Sequence, residues 1–75
     1  MSIAERLSWE TVALNDRGDA TEKQRTALEV AYGVSLIIGN QPELFSAMMS
    51  SIIEQVTDPE TQRNLRQYTA RGLKQ

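Results

Sequence analysis

Apolar and polar positions along this chain recur with the period of an α-helix, most cleanly from Pro42 to Val56, PELFSAMMSSIIEQV. At about 100° per residue, Leu44, Phe45, Met48, Met49, Ile52, Ile53 and Val56 fall on one side. Glu43, Ser46, Ser50, Ser51 and Glu54 fall on the other. Fully burying each of those apolar side chains stabilises by roughly 1.5–3 kcal/mol. This helix, over 42–57, is therefore expected to organise the rest.

A second helix is predicted over 20–38. Ala27, Leu28, Val30, Ala31, Val34, Ile37 and Ile38 cover more than half its circumference, and Glu22, Thr26, Glu29 and Gly33 form a narrow polar strip. A helix this apolar is expected to be buried on more than one side. Ala27, Ala31 and Ser35 make a stripe of small residues that lets a neighbouring helix come close. Gly33 costs about 1 kcal/mol relative to alanine inside a helix, so either a neighbour crosses there or the defect is tolerated. Gly39 stops this helix, Pro42 opens the next, and the short link predicts an antiparallel hairpin of the two.

The flanking segments are less apolar. Ser2-Ile3-Ala4-Glu5 spells a capping box for a helix over 3–14, with Ile3, Leu7 and Leu14 on one face and Trp9, Val12 and Ala13 on another. LSWETVAL also alternates weakly, a pattern open to a strand. Asn15 to Asp19 reads as a turn, in which Gly18 suits a left-handed position and Asp19 or Thr21 caps the second helix. Arg17-Gly18-Asp19 matches the integrin tripeptide but reads here as that turn. Thr57-Asp58-Pro59-Glu60 restarts a helix over 59–73. Its apolar content is thin, with Leu65 and Tyr68 on one face, and Arg63, Arg66, Arg71 and Lys74 project outward.

Composition narrows the functions open to such a chain. Its 75 residues form one helical domain over 1–75, too small for a comfortable core without support. There is no cysteine and no histidine, so disulfides, thiolate sites and the usual zinc, copper and haem ligands are missing. Oligomerisation, or binding to another protein, is the support left over. The N-terminal MSIAERLSWE has two glutamates and no apolar h-region, so it does not read as a secretory signal. The apolar run from Ala27 to Ile38 contains Glu29 and falls short of a bilayer span. A soluble, cytoplasmic protein with no membrane partner is expected.

The same gaps argue against an enzyme. General acid–base catalysis near neutrality rests most often on histidine, and Ser46, Ser50 and Ser51 have no imidazole to activate them. No lysine sits in an apolar run, and no phosphate-cradling glycine loop is present. No catalytic residue, metal or cofactor is expected. The formal net charge of −2 weighs against a dedicated nucleic-acid binder.

The segment LEVAYGVSLIIG, from Leu28 to Gly39, precedes a short linker and an amphipathic helix. In this it resembles the small bacterial connector proteins of two-component and biofilm regulation. The matching features are Leu28, Ala31, the aliphatic pair before Gly39 and the apolar helix after it. The resemblance implies a short helical chain that dimerises and regulates through protein contacts. It covers under half the chain, the linker is shorter here, and Pro42 departs from the pattern, so the chain is not assigned to that group.

The sequence thus predicts an all-α domain of three or four helices built on a central antiparallel hairpin and forming a homodimer. The expected function is that of a non-catalytic regulator or adaptor, docking another protein through Phe45, Met48, Met49 and Ile52. The alternative is a dimeric nucleic-acid-binding regulator using Arg63, Arg66, Arg71 and Lys74, whose dimer would set two basic helices side by side. A structural subunit of a larger assembly is the third reading.

Overall fold

The computed structural model describes residues 1–38 and 40–74, and these form four α-helices: α1 (Ile3–Arg17), α2 (Glu22–Ile38), α3 (Pro42–Gln55) and α4 (Pro59–Leu73). No described residue is in a strand, so the alternation in LSWETVAL yields to the helical face of Ile3, Leu7 and Leu14, all buried. The helix stop expected at Gly39 lies outside the described residues.

The caps set the boundaries. At α1 the Glu5 amide donates to the Ser2 hydroxyl (3.1 Å) and the Ser2 amide to the Glu5 carboxylate (3.3 Å), the reciprocal pair of a capping box. The Ser2 backbone amide first, and then the Ser2 hydroxyl, hold the Glu5 carboxyl below its usual range. α1 runs three residues past its expected end, to Arg17, because Gly18 (φ 74°) takes the left-handed position that closes a helix. α2 starts at Glu22, after a second box in which the Thr21 backbone amide donates to Gln24 Oε1 (2.9 Å) and the Gln24 backbone amide donates to the Thr21 hydroxyl (3.1 Å). α3 ends at Gln55, two residues before its expected end, with the Val56 amide on the Ile53 carbonyl. Asp58 caps α4, accepting from the amide (2.9 Å) and hydroxyl (2.7 Å) of Thr61.

The core gathers Ile3, Leu7 and Leu14 of α1, Ala27, Leu28 and Ala31 of α2, Phe45, Met49 and Ile53 of α3, and Leu65 and Tyr68 of α4. The Cα radius of gyration is 11.4 Å, matching the roughly 11 Å expected of a compact chain this long. α2 makes its broadest contact with α4 and packs also on α1 and α3. α4 touches all three other helices, while α1 and α3 scarcely meet. The small residues Ala27, Ala31 and Ser35 are fully buried, and the Ser35 hydroxyl is satisfied by the Tyr32 carbonyl at 2.6 Å. Small side chains at that spacing let a neighbouring backbone approach closely.

Side-chain hydrogen bonds tie α4 to every neighbour. Gln62 Nε2 donates to the Ile53 carbonyl at the end of α3 (3.0 Å). Lys23 Nζ of α2 donates to Asp58 Oδ1 (3.1 Å), Arg71 Nη1 to Glu10 Oε2 of α1 (2.6 Å), and Arg6 Nη1 to the Gly72 carbonyl (3.2 Å). α1 and α4 come so close at Gly72 that a Cβ there would lie 3.1 Å from Ile3 Cγ2 and 3.3 Å from Leu7 Cδ1. At Gly33 a Cβ would meet nothing within 4 Å, so within this chain the glycine is a tolerated defect rather than a crossing point. Asn64 is buried on α4, and its Nδ2 has no hydrogen-bond partner among the described residues.

Candidate partner-binding surface

The helical register of α3 divides the four expected anchors. Phe45 and Met49 point inward and are fully buried by the chain itself, with Ile53 one turn further on. They hold the fold together and are not available at the surface. Ile52 is half-buried against the core. Met48 is 45% exposed, and Leu44, one turn before it, is 47% exposed. The wide apolar face of α3 therefore splits into an inner edge that packs and an outer edge that stays in water.

The outer edge has company at the end of α2, where Leu36 is 59% and Ile37 86% exposed. Periodicity alone puts Ile37 among the residues covering a buried helix and passes over Leu36. The signal was present in the spacing. Glu22, Thr26, Glu29 and Gly33 mark the wet side of α2, and the next positions on that side are Leu36 and Ile37. Both lie within a few residues of Pro42, where α3 begins. Leu36, Ile37, Leu44 and Met48 thus leave four large apolar side chains in water on two helices joined by a short link. Soluble monomers seldom expose many such groups together.

The four basic residues of the alternative reading lie on α4 and at its C-cap. Arg63, Arg66 and Lys74 are exposed and form no ion pair among the described residues. Arg71 is half-buried, paired with Glu10, with its guanidinium carbon 6.0 Å from the centre of the Tyr68 ring. Arg71 and Lys74 share an open groove with Met1, Arg6, Trp9 and Glu10. Trp9 and Val12, on the second face of α1, are both exposed.

Another shallow groove joins the start of α1 to the end of α4 and to Asn40 and Pro42. It offers only Glu5 and Arg6 as ionisable side chains, and Glu5 is already engaged as a cap. Among the described residues no three carboxylates converge as a metal site would require, and no helix is long and apolar enough to cross a membrane. No family model, curated protein or solved structure matches this chain.

Proposed function

We infer that this chain is a non-catalytic regulator or adaptor that works by binding protein, and that it pairs with a second copy of itself. The single observation behind this reading is the uncovered apolar set Leu36, Ile37, Leu44 and Met48. Their burial would contribute roughly 1.5–3 kcal/mol each before the cost of association. Phe45 and Met49 are taken up by the core, and Ile52 is half-buried against it.

The test is solution mass by light scattering across a concentration series. The dimer has twice the 8.4 kDa of one chain. Ile37→Glu with Met48→Glu places charges in the contact without touching the core, so the variant should keep its helical circular dichroism and fall to single-chain mass. A wild type that stays at single-chain mass throughout rules out the pairing. An unchanged mass in the variant removes this surface as its site.

A further inference from the structure

The cations of α4 are arranged differently from the charges elsewhere. Nine of the chain's ten acidic side chains precede Pro59, whereas α4 and its C-cap carry four cations against Glu60 alone. The net charge of −2 therefore hides a segregated basic helix. Arg63, Arg66, Gln67, Ala70 and Lys74 are all exposed and succeed one another at helical spacing. They form a strip about 16 Å long on the outer side of α4. Arg63, Arg66 and Lys74 have no carboxylate partner among the described residues, so their charge is not offset locally.

The strip ends beside an aromatic ring. Lys74 lines the groove that also holds Trp9, Arg6, Arg71 and Glu10, and Trp9 is 65% exposed. Glu10 is occupied by Arg71 at 2.6 Å and Arg6 donates to the Gly72 carbonyl at 3.2 Å, while Lys74 contributes a cation outside these contacts and Trp9 a flat ring. A row of cations leading to an exposed indole complements a ligand in which repeated anions alternate with flat rings. An acidic peptide supplies the anions without the rings. A nucleic-acid duplex keeps its ring faces stacked inside.

We propose that the outer strip of α4 together with Trp9 binds single-stranded nucleic acid without strong sequence preference. Arg63, Arg66 and Lys74 contact phosphates, and the Trp9 indole stacks on one base. This surface involves none of the four apolar residues assigned to protein pairing, so the two readings stand or fall separately.

Trp9 is the only tryptophan in the chain, so its fluorescence reports directly on the site. The full chain is titrated with an oligothymidylate of about twelve nucleotides, beginning at low salt near 20 mM. The expected result is quenching of Trp9, with log Kd rising against log salt at a slope of about 2, as three phosphate contacts on a single strand require. Arg63→Glu with Arg66→Glu should weaken binding more than about tenfold. Trp9→Leu, monitored by anisotropy of a labelled oligonucleotide, should weaken it about tenfold while leaving the salt slope unchanged. Circular dichroism should show these surface variants to be as helical as the wild type. Absence of quenching at the lowest salt overturns the proposal. So does equal binding of the matching duplex, of polyglutamate, or of anionic phospholipid vesicles at equal charge, each of which would reassign the strip to another anionic partner.

Discussion

α3 sinks Phe45, Met49 and Ile53 into the core and leaves Leu44 and Met48 in water, whereas α4 buries Asn64, Leu65, Tyr68 and Gly72 and exposes only Ala70 among its apolar residues. The helix richer in apolar residues meets α2 and α4, and the poorer one meets all three of its neighbours. α4 compensates for thin apolar content in two ways. Glycine at position 72 lets α1 approach closely, and polar side chains bond it to α1, α2 and α3. A count of apolar residues therefore measures how much surface a helix must hide, not how central it is. In α3 the excess over what one copy covers is the surface proposed for a partner.

The comparison breaks most readily at its two anchors. Phe45→Ala should cost about 3–5 kcal/mol and Leu65→Ala about 2–5 kcal/mol, each a large share of what a domain this small has. Urea melts of both check this, and a near-silent Leu65→Ala would deny α4 its place. Gly72→Val should cost about 1–3 kcal/mol by forcing Ile3 and Leu7 apart, with the loss read as a lower thermal midpoint. Gly33→Ala should do the reverse, stabilising by up to about 1 kcal/mol in the same measurement, since the added methyl meets nothing. If that variant also lost dimer mass, the partner would be crossing at Gly33. Arg71→Met should cost under about 1 kcal/mol, because its pair with Glu10 is partly solvated.

Acid sharpens the last link, at the cap of α4. The Thr61 hydroxyl and amide, and then Lys23, lower the Asp58 carboxyl from 3.8 to about 2. A carboxyl lowered on folding stabilises the native state above its unfolded value, and that contribution disappears as the pH falls through the folded one. Stability measured in urea should therefore decline between about pH 4 and pH 2, and Asp58→Asn should flatten this decline. Equal acid slopes in the two proteins would show that the cap does not couple to protonation.

Much of the fold was legible in local sequence. Ser2 with Glu5, Thr21 with Gln24, and Asp58 with Pro59 mark helix starts because capping is chemistry among near neighbours. The expected end of α1 falls early because Asn15, Asp16 and Arg17 resemble a turn by composition, while Gly18 actually determines the stop. At the candidate site, periodicity identified the apolar face of α3 but not which edge the chain covers. That edge depends on where α2 and α4 lie, so Phe45 and Met49 could not be told from Met48 by spacing alone. Leu36 and Ile37 were readable as a continuation of the wet strip of α2. The hydrogen bonds from Gln62, Arg71, Lys23 and Arg6 span many residues of chain and leave no short-range pattern.

α4, like α2, packs on all three other helices despite its thin apolar content, and removing it tests that role directly. A chain ending at Asp58 retains all of α1, α2 and α3, including the helix richest in apolar residues. Urea unfolding monitored by far-ultraviolet circular dichroism should show a shallow, non-cooperative loss of helix in that truncated chain. A cooperative transition at the full-length midpoint would contradict this role for α4 and return the core to α2 and α3 alone.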